Sequence, residues 1–377
     1  MPTIFTRGAA SARGFGLFGG GPSNAGLWAW GAGNNGGLGL GNVTNYSSPK
    51  QVGTLKTWST VVAYGGYVQS ASIKTDGTLW TWGRNDFGQL GLGDVTNRSS
   101  PVQVGALTTW ATIALGRQMS IAIKTDGTLW AWGKNNTGCL GVGNYTNYSS
   151  PVQVGALTTW SKVDAGKDAT KATLAIKTNG TLWAWGSGFY GTTGLNNTTL
   201  YKSPVQVGAL TNWATVAVGA VNALATKTNG TLWSWGKGAY GQLGLGNLTI
   251  YYSPKQVGAL TTWSKVSASR YTSASIKTDG TLWTWGRNNF GQLGTGPLSN
   301  YSSPKQVGVL TTWSKVSVGA VNTAAITTGG TLWMWGRNSS GQLGLGNTTD
   351  YSLPKQVGAL TTWAVVGTDF QTLAIST

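Results

Sequence analysis

The sequence of 377 residues contains no glutamate and no histidine, and its only cysteine is Cys139. Without histidine the chain lacks the usual group for proton transfer near neutral pH and the commonest nitrogen ligand for metals. A single cysteine excludes an internal disulfide, and no histidine is present to activate its thiol. These absences predict a protein that is not an enzyme and that binds no metal or cofactor.

Acidic residues are scarce as well. Nine aspartates stand against 26 lysines and arginines, which gives a formal net charge of +17. Such an excess favours an anionic surface, a glycan or an acidic protein as partner, with nucleic acid as a less favoured choice. The one close acidic pair, Asp164 and Asp168, lies among lysines, and we expect solvated ion pairs there.

No apolar run approaches the roughly 18 residues that a membrane helix needs, so we expect no membrane span and a soluble protein. The first 25 residues differ from the rest of the chain, since they are rich in Gly, Ala, Ser and Arg and contain no acid. We predict an N-terminal arm over residues 1–25, held in place by other structural proteins of an assembly. Residues 26–377 form the second predicted unit.

Tryptophan, by contrast, is abundant, and it recurs at a fixed period. A Leu-Trp-x-Trp-Gly element appears seven times, at intervals of 50 to 53 residues, and a single tryptophan closes a Leu-Thr-Thr-Trp element or a variant of it in between. Pairs and singles together account for all 21 tryptophans. Such a period indicates a repeat architecture. The pairs begin at Trp28, Trp80, Trp130, Trp183, Trp233, Trp283 and Trp333, and the singles are Trp58, Trp110, Trp160, Trp213, Trp263, Trp313 and Trp363.

Each unit contains four short segments typical of β-strands. Two apolar runs, such as ATIALG and SIAIKT, precede the tryptophan pair, and a proline-led segment such as SPVQVG follows it. Asp126-Gly127 between the second run and the pair predicts a two-residue type I′ hairpin turn. Proline suits the edge of a sheet. Four strands in every 50 residues predict an all-β, seven-bladed β-propeller of four-stranded blades.

The two ends of the sequence complete one blade. The first unit starts directly at GLWAWG and lacks its first two strands, whereas the last unit stops after TTWAVVG and TLAIST. We therefore predict one blade closed by N- and C-terminal strands, which leaves the ring without a free edge. The tryptophan pairs lie on a strand with apolar or small residues on both faces, and we interpret them as packing residues of the fold.

The segments after the tryptophan pairs carry a family resemblance. WGRNDFGQLGLG, WGKGAYGQLGLG, WGRNNFGQLGTG and WGRNSSGQLGLG resemble the Trp-Gly-x-Asn-x-x-Gly-Gln-Leu-Gly signature of the RCC1 repeat family. The fourth unit departs from it, with FYGTTG at 189–194. The resemblance covers roughly residues 26–377 and implies a seven-bladed propeller.

The resemblance also implies several functions. The family includes a nuclear guanine-nucleotide exchange factor that binds chromatin, ubiquitin-ligase modules, a plant ultraviolet photoreceptor, a secreted bacterial β-lactamase inhibitor and microbial and viral proteins. The Gly-Trp-Arg-His-Thr motif of the photoreceptor is missing here, as are the histidines common in units of the exchange factor. Both departures weaken those two assignments.

Two sets of equivalent positions are candidates for contact with a partner. The basic ring follows Trp-Gly in five units, where it suits an anionic surface, with solubilising charge on loop tips as the alternative. The aromatic ring precedes the blade proline, where it suits packing between blades or stacking on sugars. The basic ring comprises Arg84, Lys134, Lys237, Arg287 and Arg337, and the aromatic ring comprises Tyr46, Tyr148, Tyr201, Tyr251, Tyr301 and Tyr351.

The connection between the first two strands of each unit is the part that varies most. Variation in an otherwise uniform repeat indicates either freedom from structural demand or selection for contact, and binding residues are often found on loops. We predict a partner-binding set rich in Tyr, Arg and amides, as suits a protein or glycan. Its members are Tyr67, Gln69, Arg117, Gln118, Lys167, Asp168, Lys171, Arg270, Tyr271, Asp369 and Phe370.

The sequence alone leaves three functions open. The first is a non-catalytic binding and assembly module, namely a phage or viral structural protein located in the virion, where it decorates the particle or touches the host surface. The second is an RCC1-like regulator, a guanine-nucleotide exchange factor or chromatin binder, soluble in the cytoplasm. The third is a secreted glycan- or protein-binding propeller.

Overall fold

The computed structural model describes residues 26–64, 66, 68–167 and 171–377. The predicted arm over residues 1–25 and two predicted contact residues, Tyr67 and Asp168, lie outside this part of the chain. In the described part no helix has the length and hydropathy required to cross a bilayer. The helical segments found there are two 3-10 turns, Asn34–Gly36 and Phe189–Gly191.

Twenty-eight strands make up the described fold. They are β1 (Gly26–Gly31), β2 (Tyr46–Gln51), β3 (Val62–Tyr64), β4 (Gln69–Ile73), β5 (Leu79–Gly83), β6 (Arg98–Gln103), β7 (Trp110–Gly116), β8 (Met119–Lys124), β9 (Leu129–Gly133), β10 (Tyr148–Gln153), β11 (Trp160–Ala165), β12 (Ala172–Lys177), β13 (Leu182–Ser187), β14 (Leu200–Gln206), β15 (Trp213–Val218), β16 (Asn222–Lys227), β17 (Leu232–Gly236), β18 (Tyr251–Gln256), β19 (Trp263–Ala268), β20 (Thr272–Lys277), β21 (Leu282–Gly286), β22 (Tyr301–Gln306), β23 (Trp313–Val318), β24 (Asn322–Thr327), β25 (Leu332–Gly336), β26 (Tyr351–Gln356), β27 (Trp363–Thr368) and β28 (Gln371–Ser376).

The strands form seven antiparallel sheets of four strands each, which confirms the predicted propeller. Blade 1 contains β27, β28, β1 and β2, and blades 2 to 7 each contain the next four consecutive strands, from β3–β6 to β23–β26. The first strand of each blade, the inner strand, contacts the inner strands of both neighbouring blades. The fourth, proline-bearing strand lies at the other edge of its sheet, as predicted.

Blade 1 closes the ring with strands from both ends of the described chain. β1 pairs with β28 without interruption, from Gly26 opposite Ser376 to Gly31 opposite Gln371. β27 and β2 flank this pair. The predicted closing blade is therefore confirmed, and its central ladder joins residues about as far apart in sequence as the chain permits.

Tryptophans fill the space between the blades. In blade 3, Trp132 is fully buried and its Nε1 donates to the carbonyl of Gln89 in blade 2, at 2.9 Å. The same bond to the preceding blade recurs at all seven junctions. Trp110 packs edge-on against both members of the pair, with ring centroids 6.3 Å from Trp130 and 5.9 Å from Trp132. Edge-to-face aromatic packing of this kind stabilises the contact beyond its buried area.

The hairpin turn differs from the predicted type I′ geometry. In blade 3 the turn spans Lys124 to Thr128, because Lys124 N–H donates to the carbonyl of Thr128 and Gly127 N–H donates to the carbonyl of Lys124. Gly127 has a φ of 78°, whereas Asp126 keeps a negative φ. This is a three-residue loop with one left-handed residue. The Asp126 carboxylate accepts from the backbone N–H and the hydroxyl of Thr128, at 2.9 and 2.7 Å, and these bonds favour the longer loop.

The antiparallel blades present two faces. The loop face contains the variable connections after the inner strands and the loops that follow Trp-Gly at the end of the third strands. The hairpin face, at the opposite end, contains the turns that join the second and third strands. All seven inner strands line a central channel that runs between the two faces, and the lining of this channel is mostly apolar.

Candidate functional site

The loop face brings the variable connections and the basic ring together. In the five blades that carry the basic ring, the backbone N–H after Trp-Gly donates to a carbonyl of the variable connection of the same blade. Arg84 donates to Val68, and Lys134 donates to Gln118, at 3.0 and 2.8 Å. Lys237, Arg287 and Arg337 donate to Val221, Tyr271 and Val321. Two candidate sets that are distant in sequence thus share one surface.

The variable connections are also bonded to one another around the channel mouth. Arg117 N–H donates to the carbonyl of Gly166 and Lys167 N–H to that of Gly219, both at 3.1 Å. Ala220 N–H donates to the carbonyl of Ser269 at 3.2 Å. These three bonds run from blade 3 to blade 4, from blade 4 to blade 5 and from blade 5 to blade 6, so they hold this part of the rim as a preformed surface.

A cavity of about 300 Å³ lies at this mouth. Three cationic side chains contributed by blades 3, 4 and 6 lie at its walls, together with one carboxylate and two aromatic rings. Its lining residues include Tyr64, Arg117, Lys167, Arg270, Asp369 and Phe370. The charge balance of these side chains attracts an anionic group.

The predicted partner-binding set divides by exposure. Arg270 is exposed, and Arg117, Lys167, Tyr271 and Phe370 are partly exposed. The four other described members are buried, namely Gln69, Gln118, Lys171 and Asp369.

The buried members support the surface from below. Gln69 Nε2 donates to the Gln89 carbonyl at 2.9 Å and to the Ser120 hydroxyl of blade 3 at 2.6 Å. Lys171 Nζ donates to Asn136 Oδ1 at 2.7 Å. Gln69 and Lys171 therefore hold strands and loops together beneath this surface.

The basic ring is anchored on aromatic rings of the preceding blade. Lys134 Nζ lies 4.0 Å from the ring centroid of Phe87, and Lys237 Nζ lies 4.4 Å from that of Tyr190. Arg287 lies over Tyr240 and Arg337 over Phe290, at 5.3 and 4.9 Å. Cation–π contacts of this length are favourable.

The other blade junctions confirm that this arrangement is specific. Where the preceding blade has Thr137 or Ser340 in place of the aromatic residue, the next blade has Ser187 or Ala32 in place of the cation. Arg84 pairs instead with Asp86 of its own blade. Four of the five cations of the ring thus lie over an aromatic ring of the preceding blade, and Arg84 forms an ion pair within its own blade.

The tyrosines of the aromatic ring are the first or second residues of the outer strands, and all are partly buried. Tyr148 packs against the cores of two adjacent blades, and its hydroxyl accepts from Asn144 Nδ2 at 2.9 Å. Four further Asn–Tyr pairs repeat this bond. These contacts favour the packing interpretation of the set.

The channel holds one carboxylate that the sequence analysis placed in solvent. Asp164 is only 8% exposed, and its Oδ2 accepts from the backbone N–H of Val218 in the next blade at 2.7 Å. Burial raises the pKa of this carboxyl above its usual value. Ser267 accepts the equivalent bond from Val318 at 3.0 Å. The expectation of a solvated ion pair at Asp164 is therefore wrong, and alignment of the seven inner strands would have revealed its place in the channel.

Three lysines near the other end of the channel were also missed. Nζ of Lys162, Lys265 and Lys315 each donates to a backbone carbonyl of the next blade. Burial lowers the pKa of Lys162 and of Lys315 to about 8, and the charge of Lys265 adds to the effect at Lys315. Other blades carry threonine at this position. The replacement of this threonine by lysine in three units was the signal in the sequence that could have identified these residues.

Groups suited to catalysis are sparse in the part of the chain that the structure describes. There, no cluster of three or more His, Cys, Asp or Glu side chains forms a candidate metal site. Cys139 is fully buried, its Sγ donates to the Lys134 carbonyl at 3.2 Å, and burial raises the pKa of its thiol. Such a thiol is a poor nucleophile. The arrangement suits binding.

Seven segments of the chain match the regulator of chromosome condensation (RCC1) repeat. They are residues 24–69, 76–123, 126–172, 179–225, 229–276, 279–326 and 329–370. The chain belongs to the RCC1 repeat family.

Curated relatives share parts of this repeat array. The probable E3 ubiquitin-protein ligase HERC6 of Homo sapiens is 36% identical over 83 residues, which are 22% of this chain and 8% of the relative. The E3 ubiquitin-protein ligase HERC2 of Homo sapiens is 27% identical over 192 residues, which are 51% of this chain and 3% of the relative. This RCC1-repeat chain thus spans a small fraction of the length of either protein.

Solved structures share the whole propeller. Prp20p from Saccharomyces cerevisiae superposes with a TM-score of 0.83 at 20% identity, covering 94% of this chain and 92% of Prp20p. Human WBSCR16 superposes with a TM-score of 0.81 at 21% identity, covering 93% and 98%. At these identities the similarity establishes the common fold.

Proposed function

We propose that this RCC1-repeat chain is a non-catalytic binding module whose loop face holds an acidic surface of a partner protein. The observation that carries the proposal is the channel mouth, where Arg117, Lys167 and Arg270 line one preformed cavity. The inter-blade backbone bonds hold part of the rim in place before binding, which reduces the entropy lost on association. The net charge of +17 directs acidic partners toward the protein over longer distances.

An acidic protein fits this mouth better than a nucleic acid does. The three cations converge on one concave site, whereas a nucleic-acid backbone presents phosphates at regular spacing along a line. Tyr271 and Phe370 beside the cations match the aromatic and arginine-rich composition of protein interfaces.

Charge reversal at the mouth tests the proposal. We expect the pair Arg117→Glu and Arg270→Glu to weaken binding of a fluorescein-labelled Asp/Glu-rich peptide by at least about tenfold, since each lost close charge pair contributes on the order of 1 kcal/mol or more. Fluorescence anisotropy gives the dissociation constants. The matched control is Lys255→Glu with Lys305→Glu, two exposed lysines on outer strands. Equal losses in both variants would reduce the effect to net charge and refute a site at the mouth.

A second candidate is a regulator that acts on a small GTPase or on chromatin. Prp20p, which has the same fold, is described by its binding to Gsp1p and histones. The candidate predicts accelerated nucleotide release from a small GTPase, or DNA binding that falls steeply with salt. A nucleotide-release assay and a salt titration of DNA binding test the two forms of this candidate. Absence of both activities would eliminate it.

The virion hypothesis depends on the arm over residues 1–25, which lies outside the described residues. It predicts that the protein is found in purified particles of its native source, bound through the arm to other structural proteins. Imaging of such particles tests it, and recovery of the protein only as a free monomer would contradict it.

A further inference from the structure

The hairpin face contains aromatic sites that hold lysine side chains. In blade 3, Lys124 Nζ lies 3.7 Å from the ring centroid of Trp130 and 5.1 Å from that of Trp110. We call this two-walled site, formed by the single tryptophan and the first paired tryptophan of a blade, the ammonium seat. Five blades fill it with a lysine of the same chain, namely Lys74, Lys124, Lys177, Lys227 and Lys277.

Blade 7 has the walls of the seat without the lysine. The ring centroids of Trp313 and Trp333 are 6.3 Å apart at an interplanar angle of 80°, compared with 6.3 Å and 79° for Trp110 and Trp130. The position of the lysine is taken by Thr327, which ends β24. Its hydroxyl bonds with that of Thr331 at 2.7 Å. The geometry that holds an ammonium group elsewhere is thus retained where no described residue supplies one.

Space around the blade 7 seat is open. Thr331 is partly exposed, whereas its counterparts in the five lysine-bearing blades are buried. The turn beside it contains Gly329 where three sister turns have aspartate and two have asparagine. A Cβ built on Gly329 would meet only Thr327 Oγ1, at 3.9 Å. Trp333 is partly exposed and Trp313 is buried. A side chain from another molecule would therefore approach the seat along the face of Trp333.

We propose that the seat formed by Trp313 and Trp333 binds a lysine side chain of a partner polypeptide. The occupant follows from the five sister seats, each of which holds a lysine ammonium group over the same two walls. An indole face attracts such a group through its quadrupole. This site lies on the hairpin face, so it is separate from the channel mouth and independent of the acidic partner proposed for it.

Titration with Nα-acetyl-lysine amide tests the site. We expect saturable shifts of the indole N–H signals of Trp313 and Trp333 in ¹H–¹⁵N NMR spectra, and much smaller shifts with the norleucine analogue, which lacks the ammonium group. Thr327→Lys restores the sister arrangement, so it should abolish the shifts while leaving the melting temperature equal or higher. Lys74→Thr with Asp76→Gly gives blade 2 the sequence of the blade 7 turn. Shifts should then appear at Trp58 and Trp80 as well.

The outcomes separate cleanly. Shifts that persist in Thr327→Lys, or that norleucine amide reproduces, overturn the proposal. A variant with Lys74→Thr and Asp76→Gly that remains folded and gains no new response also overturns it. The Arg117→Glu and Arg270→Glu variant should titrate like the parent protein. A negative result in the acidic-peptide experiment therefore does not contradict the lysine site. A negative result in the lysine titration likewise does not contradict the acidic partner proposed for the channel mouth.

Discussion

At the scale of single residues, the repeat shows compensating exchanges between neighbouring positions. Six outer strands carry a tyrosine as their first or second residue, and five of these tyrosines accept a hydrogen bond from the asparagine four residues earlier. In blade 2 both members differ: Arg98 replaces the tyrosine, Asp94 replaces the asparagine, and the two form an ion pair. The exchange preserves a link across the same loop by different chemistry.

Restoring the sister pair tests this compensation. We expect Asp94→Asn and Arg98→Tyr each to lower the free energy of unfolding slightly, and the double variant to recover most of the loss. The coupling should be below about 1 kcal/mol, because the ion pair is partly exposed and screened. Urea denaturation of all four proteins completes the cycle. If the losses in the free energy of unfolding from the two single changes simply add in the double variant, the proposed compensation is wrong.

Lys162 and Lys315 predict a dependence of stability on pH. Burial lowers the pKa of each to about 8, from a usual value of 10.5. Between these values the unfolded chain binds more protons than the folded chain, so the free energy of unfolding should rise as the pH increases from about 8 to about 10.5. Below pH 8 both states are protonated and the penalty of burying the charge is complete.

Two other blades carry threonine, Thr112 and Thr215, at the position equivalent to Lys162 and Lys315. Threonine is therefore the matched substitution for these lysines. Urea midpoints at pH 7.5, 9 and 10 should converge for the parent and for Lys162→Thr with Lys315→Thr as the pH rises. Parallel curves for the two proteins would show that the lysines do not carry the effect.

At the scale of elements, the hairpin turn depends on the backbone of one glycine. Gly127 has a φ of 78°, and a Cβ there would lie 2.1 Å from the carbonyl oxygen of Thr158. Gly155, in the connection to the next blade, has a φ of 62° and nothing within 4 Å of such an atom. Substitution by alanine therefore places a left-handed alanine at both positions. Only at Gly127 does the added Cβ also clash with a neighbouring residue.

We expect Gly155→Ala to lower the free energy of unfolding by about 1 kcal/mol, the usual cost of a left-handed alanine. Gly127→Ala should lower it by roughly 2–3 kcal/mol, because the turn must also move away from Thr158. Chemical denaturation measures both. Equal losses would mean that the turn relaxes without cost.

The elements also show what sequence reasoning can reach. The 50-residue period was sufficient for the strands, the blade number and the closing blade, because these follow from the repeat itself. The repeat was not sufficient to predict the turn type. Asp126-Gly127 suits a two-residue turn equally well, and the hydrogen bonds to Thr128 select the three-residue loop. Gln69 and Asp164 were misplaced because their partners belong to the next blade, and that register is absent from a single unit.

At the scale of the whole molecule, closure depends on β28. This strand lies between β27 and β1, so its loss separates the two halves of blade 1 and exposes the core beneath. We expect deletion of residues 371–377 to abolish cooperative unfolding, as followed by tryptophan fluorescence during urea denaturation. A midpoint equal to that of the parent would contradict this role.

A circular permutant provides the control. In this variant Asp-Gly joins Thr377 directly to Gly26, which recreates the Thr-Asp-Gly turn of the sister hairpins. The new chain begins at Ala106 and ends at Gly105, within an exposed connection between blades. Because every blade is then continuous, we expect the permutant to retain cooperative unfolding with at least the midpoint of the parent.

The pairing of β1 with β28 also determines how the ring responds to force. Gly26 lies opposite Ser376, so the chain enters and leaves this ladder at the same end. Tension applied through those two points would open the hydrogen bonds one after another, as in a zipper, and would not load them together in shear. A ring that resists heat and denaturant cooperatively should therefore yield at low force when pulled from its ends.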